Sequence, residues 1–131
     1  METLTLKLKI AMLWILAGVA TFRCTSELEP GAIEDILAGE TAQYQTPGAL
    51  FLFTVLWLIP LAMAFVTFIL KDVANRWVNF VVGVVLTLLN IYHLSIHVEF
   101  PSAHGLLIVA STVVATGLIT WYAWRWPQQQ A

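Results

Sequence analysis

Four long apolar stretches, separated by connections that carry almost all of the charges, constrain this chain more than any other feature. They cover about residues 6–23, 49–70, 77–97 and 104–126. Each approaches or reaches the roughly 20 residues that an α-helix needs to cross the hydrocarbon core of a bilayer. Within that core, only helices and closed barrels satisfy all backbone hydrogen bonds. We therefore predict one all-α domain over residues 1–131, an integral membrane four-helix bundle.

The composition agrees with a lipid environment. Hydrophobic residues make up 60% of the chain and charged residues 11%, whereas a soluble globular domain carries roughly 25% charged residues. A soluble protein of this length could not bury so much apolar surface in one core, so the lipid bilayer is the expected partner. The net charge of −2 gives no reason to expect nucleic acid as a partner. The lone Cys24 leaves no internal disulfide within these residues.

The basic residues predict the orientation of the chain. One side of the predicted membrane carries Lys7, Lys9, Lys71, Arg76 and Arg125, and the other carries only Arg23. The positive-inside rule then places both termini in the cytoplasm, and the long first connection outside. Aromatic residues match an interfacial belt on the cytoplasmic side; they are Trp77, Trp121, Tyr122, Trp124 and Trp126.

The first span has an alternative interpretation as a signal peptide, because Lys7 and Lys9 precede an apolar stretch. Phe22 and Arg23 stand where small residues would be expected at a cleavage site. The three remaining spans would keep even a cleaved chain in the membrane, so both interpretations lead to a membrane protein.

Two prolines predict local features. Pro30 and Gly39 frame a segment in which Ile33, Ile36 and Leu37 share one helical face. We expect a short amphipathic helix over Pro30 to Ala38, lying on the outer surface and placed to cap the bundle; a plain linker is the alternative. In the second span, Pro60 should kink or loosen the helix, because it lacks an N–H group.

A polar stripe follows one face of the third span. Its members recur at steps of three or four residues and fall within an arc of roughly 120°; they are Asn79, Gly83, Thr87, Asn90, His93 and His97. Polar groups are costly in hydrocarbon, so the stripe should face the other helices or a wet cavity. Packing glue between helices is the alternative to a pathway or a ligand-binding role.

All three histidines of the chain fall at the outer end of this stripe. His93 and His97 are four residues apart on one helical face, and His104 opens the fourth span. Three imidazoles can bind zinc or another divalent transition metal and leave a position open for water. The alternatives are a pH-sensitive cluster, a haem-ligating pair and interfacial histidines with a purely structural role.

Arg23 is the one cation on the outer side, and it can pair with Glu27 or Glu99 or extend to the interface. Together with Glu99, it would suit an anionic or amphipathic ligand. The predicted ligand-binding residues are therefore Asn90, His93, His97, Glu99 and Arg23, and the predicted metal ligands are His93, His97 and His104.

Four segments carry a resemblance to a known family. They are KLKIAMLWILAGVATF at 7–22, EPGAIEDILAGE at 29–40, NRWVNFVVGVVLTLLN at 75–90 and WYAWRWP at 121–127. These segments resemble a bacterial family of small four-span membrane proteins described only as a domain of unknown function, with a distant likeness to DoxX-like four-helix proteins. The resemblance implies a four-span topology and the bacterial inner membrane, and it implies no reaction.

Three functions fit these features. The first is binding or transport of a small molecule or ion through an outward-facing polar cavity. The second is a metal-dependent membrane enzyme at the outer leaflet, for which a base would have to come from Glu99 or the loop carboxylates. The third is an accessory subunit of a larger membrane complex. Four thin helices enclose little interior, so we also expect a homo-oligomer or a larger membrane partner.

Overall fold

The computed structural model describes residues 2–24, 31–40, 42–99 and 103–127. The helices are α1 (Glu2–Cys24), α2 (Ala32–Leu37), α3 (Pro47–Ile69), α4 (Asp72–Glu99) and α5 (Ala103–Trp124), and Ala42–Tyr44 form one 3-10 turn. The described residues include no strand. Four helices, α1, α3, α4 and α5, are long and apolar enough to cross a membrane. The predicted all-α architecture is confirmed, and each predicted span lies on one of these helices.

The ends of α3 follow from local chemistry. The Thr46 side chain accepts a hydrogen bond from the Ala49 amide at 3.2 Å, and Pro47 occupies the first helical turn, where its missing N–H costs nothing. The helix ends at Leu70, whose extended backbone leads through Lys71 into Asp72 at the start of α4. α3 continues as a helix through Pro60, which is buried.

The short loop helix is present but does not cap the bundle. It is bounded by Gly31 and Gly39, whose positive φ angles of 84° and 79° suit glycine. Ile33 and Leu37, on the predicted apolar face, are both exposed. The predicted capping role is therefore wrong, because α2 makes few close contacts with the long helices and only Ile36 of its predicted apolar face is partly buried.

The order of the helices in space differs from their order in the chain. α1 packs against both α3 and α5, and α5 packs against α4, whereas α3 and α4 make few close contacts. Short connections join spans two, three and four, so the sequence predicts that these spans are antiparallel neighbours. That prediction is confirmed for α4 and α5, whereas α3 and α4 make only few close contacts and α1 is the main packing partner of α3.

Two glycines allow the closest approaches between helices. A Cβ atom on Gly18 of α1 would lie 2.7 Å from Leu61 Cδ2 of α3. A Cβ atom on Gly83 of α4 would lie 2.6 Å from Thr120 Oγ1 of α5. Small residues at such positions let membrane helices gain van der Waals contact. The helices therefore pack side by side in the order α3, α1, α5 and α4.

We name the two ends of the bundle by their sequence. The basic end holds both termini and the α3–α4 connection, together with Lys7, Lys9, Lys71, Arg76 and Arg125. The loop end holds the long connection from α1 to α3 and the link from α4 to α5. An apolar core cluster includes Trp14, Met63, Leu86 and Trp126. Trp126 is buried just beyond the end of α5, and its predicted place in an interfacial aromatic belt stays a prediction.

Candidate functional site

Asn79 is the centre of a buried group of polar side chains. Its Oδ1 atom accepts a 2.7 Å hydrogen bond from Trp14 Nε1 of α1. Its Nδ2 group donates to both oxygens of Asn75, at 2.6 Å to Oδ1 and 2.9 Å to the backbone carbonyl. The Asn79 amide therefore both accepts and donates hydrogen bonds, and the side chain is fully buried.

Thr67 and Asn75 extend this group to α3. The Thr67 hydroxyl lies 2.7 Å from the Met63 carbonyl and 3.2 Å from Asn79 Oδ1, and its single proton serves one of them at a time. Asn75 Nδ2 donates to the Thr67 carbonyl at 2.6 Å. That carbonyl belongs to the last turn of α3, where helices lack internal donors. We call Trp14, Thr67, Asn75 and Asn79 the Asn79 cluster; it joins α1, α3 and α4.

The Asn79 cluster fits a structural role better than a chemical one. Thr67, Asn75, Asn79 and Trp14 are buried, and none of the four is ionised at neutral pH. Interhelical hydrogen bonds in membranes contribute about 0.6 kcal/mol each on average, so the cluster mainly fixes how the helices meet. It closes the bundle in the half nearer the basic end.

The other half of the bundle is more open between α3 and α4. The buried residues of α3 are Pro60, Met63, Ala64 and Thr67, all in the half towards the basic end. On α4 the described side chains from Thr87 to Ile96 include no buried one. In contrast, α1 stays buried as far as Ala20 and α5 from Gly105 onwards. α3 and α4 therefore lose their shared contact towards the loop end.

Exposure along the facing sides of the two helices follows the same trend. Val82 of α4 is partly buried, while Leu89, two turns further on the same side, is 47% exposed. On α3, Met63 is buried, and Leu52, three turns towards the loop end, is 55% exposed. Apolar side chains of both helices thus become more exposed with distance from the Asn79 cluster.

Polar groups of α4 and α5 meet in this half of the bundle. Asn90 Nδ2 lies 3.5 Å from Thr116 Oγ1, a bond at the outer limit of hydrogen-bond distance. The Thr116 hydroxyl itself donates to the Thr112 carbonyl at 2.8 Å. Asn90 and His93 are partly buried, whereas Tyr92, on the opposite face of α4, is 68% exposed. The prediction that the polar stripe faces the bundle is confirmed for its described members.

The predicted metal site consists of His93, His97 and His104. Among the described residues, no three His, Cys, Asp or Glu side chains lie close enough to hold a metal ion. His93 is partly buried and His104 is exposed at the start of α5. The side chain of His97 lies outside the described part, so the set of His93, His97 and His104 stays a prediction.

Two further predicted ligand-binding residues, Arg23 and Glu99, also have side chains outside the described part, although both belong to helices. Of the five predicted ligand-binding residues, the structure therefore describes the side chains of Asn90 and His93 only. Both belong to the α4 stripe, towards the loop end.

Sequence reasoning missed most of the Asn79 cluster. Asn75 lies outside the predicted third span, which begins at Trp77, although its spacing of four residues from Asn79 continues the stripe. In the sequence, Trp14 is one more apolar residue of the first span. Thr67 gave no signal, because a threonine in a membrane helix usually bonds to its own backbone.

Comparisons with protein-family models, with curated proteins and with solved structures find no match for this chain. The resemblance to a bacterial four-span family therefore stays a prediction, as do the oligomeric state and the cellular membrane. Arguments about function consequently depend on the residues of this chain alone.

Proposed function

We propose that this chain is a multi-pass protein of the bacterial inner membrane that binds a small molecule or ion in an outward-facing polar cleft between α3 and α4. The observation that carries the proposal is the contrast between the two halves of the bundle. Thr67 and Asn79 join α3 and α4 near the basic end, whereas no described side chain of α4 from Thr87 to Ile96 is buried.

The chemistry of the cleft supports a polar or amphipathic ligand. Asn90 supplies an amide whose hydrogen bond to Thr116 is long, at 3.5 Å. Replacing that bond by a hydrogen bond to a ligand would therefore cost little free energy. His93, one turn further along α4, adds an imidazole that can donate, accept or ligate a metal. Pockets with apolar walls and a few polar groups are the usual form of small-molecule sites.

The closed half of the bundle, near the basic end, fits a ligand-binding site better than an open pathway across the membrane. A transport cycle would require the Asn79 cluster to separate, because Trp14 and Asn79 are fully buried between the cleft and the basic end. A binding protein with its ligand bound and a transporter in its outward-facing state would both have this arrangement. In both cases, the first step is that a ligand binds in the cleft.

Occupancy is tested on protein purified in mild detergent, by elemental analysis for zinc, copper, iron and nickel and by native mass spectrometry for small organic adducts. We expect an adduct or about one equivalent of metal in the wild type, and its loss in an Asn90→Leu/His93→Leu double variant. A Leu88→Ala variant, altered on the exposed opposite face of α4, should retain it. Equal occupancy in all three proteins, or none in any, would contradict the proposal.

A metal lost only when the histidines are replaced would favour a metal-handling or enzymatic role. A metal-free organic adduct would favour a small-molecule binding protein. The His93→Ala/His97→Ala double variant separates these two results, because it leaves Asn90 in place.

A further inference from the structure

Cations and aromatic rings are paired at the basic end of the bundle. The Arg76 guanidinium carbon lies 5.4 Å from the Trp77 ring centroid and 5.7 Å from that of Trp124. Arg125 lies 5.1 Å from the Trp121 ring, and Lys9 Nζ lies 5.8 Å from that of Tyr122. All four distances fall within the range of about 6 Å for cation–π attraction. The rings therefore hold the positive charges in place without neutralising them.

Arg76 is the most constrained of these cations. It lies between two indole rings, and its Nη2 atom is 3.4 Å from the Trp124 carbonyl at the end of α5. That long bond uses one of the five N–H donors of a guanidinium. The remaining donors form the planar fork that matches two oxygens of a phosphate.

The aromatic rings beside Arg76 continue as an apolar wall. Phe80, one turn along α4, has ring centroids 5.3 Å from Trp124 and 6.2 Å from Trp77. Trp77 and Trp124 are each about half exposed. Two turns along α5 from Trp124, a Cβ atom on Gly117 would meet nothing within 4 Å, which leaves a shallow groove in the surface of α5.

The charges at this end complement an anionic partner. Five cations, Lys7, Lys9, Lys71, Arg76 and Arg125, lie there, and Asp72 is the one carboxylate among the described side chains at this end. Near the end of a membrane-spanning helix, the groups that such an excess meets are lipid headgroups. Indole rings also favour this interface, where one edge is apolar and the other is hydrated.

We propose that Arg76, Trp77, Phe80 and Trp124 form a binding site for an anionic phospholipid. The Arg76 fork binds the headgroup phosphate, the two indoles fix the guanidinium at headgroup depth, and an acyl chain lies along Phe80 towards the groove at Gly117. The site is separate from the cleft at the loop end, so it stands or falls independently of the proposed function.

The test is native mass spectrometry of the full chain titrated with phosphatidylglycerol or with phosphatidylcholine of the same acyl chains. We expect tighter retention of phosphatidylglycerol, with Arg76→Gln weakening it about tenfold and Arg76→Lys about threefold, because lysine keeps the charge but lacks the fork. Lys71→Gln is the matched control; it removes one exposed positive charge at the same end and should change retention less than about twofold.

Two results would overturn the proposal. Equal weakening by Arg76→Gln and Lys71→Gln would show diffuse attraction to the charged end and no site at Arg76. Unchanged phosphatidylglycerol retention in Arg76→Gln would remove the site altogether. Should Arg76→Gln fold poorly, Arg76→Lys replaces it in the same comparison and must still weaken retention more than Lys71→Gln.

Discussion

Trp14 and Asn79, 65 residues apart in the chain, are joined by a 2.7 Å hydrogen bond in which the indole N–H donates to the amide oxygen. Both side chains are fully buried. The bond crosses from α1 to α4, which make few other close contacts and are otherwise connected through α5. It therefore links α1 directly to α4 in the interior of the bundle.

Replacing Asn79 by leucine should destabilise the fold, because it preserves volume while removing the acceptor of the Trp14 N–H. A buried donor without a partner costs about 1–3 kcal/mol, and we expect a loss of that size in SDS titrations of the detergent-solubilised protein. Asn90→Leu is the matched control on the same helix, with an expected cost of at most about 0.6 kcal/mol. Equal losses in the two variants would contradict a special role for the Asn79 cluster.

The two buried indoles should respond differently to replacement by phenylalanine. Trp14 Nε1 has a short bond to Asn79, whereas Trp126 Nε1 is buried with no hydrogen-bond partner among the described residues. Trp14→Phe loses a satisfied bond, and Trp126→Phe removes an unpaired donor. We expect Trp126→Phe to be less destabilising by about 1–3 kcal/mol, measured in the same titration. The reverse order would show that Trp126 has a partner beyond the described residues.

Gly83→Ala should separate α4 from α5. The new methyl group would lie 2.6 Å from Thr120 Oγ1, and turning that hydroxyl away would break its 2.9 Å hydrogen bond to the Thr116 carbonyl. Overpacking of this kind costs about 1–3 kcal/mol. Gly117→Ala, where the methyl group meets nothing within 4 Å, should be neutral or slightly stabilising. A neutral Gly83→Ala variant would mean that the two helices are not in close contact.

Reporter fusions test the orientation. A green fluorescent protein at the C-terminus should fluoresce, and alkaline phosphatase at the same place should be inactive, because five of the six Lys and Arg residues lie at the basic end. Phosphatase inserted after Glu40, in the exposed loop, should be active. The opposite pattern would place the cleft on the cytoplasmic side, and activity at both sites would indicate dual topology.

The number, type and approximate bounds of the helices could be predicted from the sequence, because hydrocarbon leaves the backbone few alternatives. The inward face of α4 could be predicted as well, since the spacing from Asn79 to His93 follows the helical period. The order of the helices could not, because a short connection such as Leu70 to Asp72 fixes only one end of two helices. Which helices lie close together away from that connection depends on contacts such as those of Gly18 with Leu61 and of Gly83 with Thr120.

The candidate site could likewise be predicted only in part. Its polar stripe was predictable from residues that lie near each other in the chain. The bonds of Asn79 to Trp14 and Thr67 were not, because they depend on helix packing that a single sequence does not encode locally. The metal-binding hypothesis for His93, His97 and His104 stays a prediction.

The most direct test of the account measures water access to three single cysteines in a Cys24→Ser background, using a membrane-impermeant maleimide applied from the loop end. If the cleft is open to water, Asn90→Cys should be labelled rapidly. We expect little labelling of Leu88→Cys, which faces lipid at nearly the same depth, or of Thr67→Cys, which is buried in the Asn79 cluster. Labelling of Asn90→Cys no faster than Leu88→Cys, or equal labelling of Thr67→Cys, would contradict a bundle that is open at one end and closed at the other.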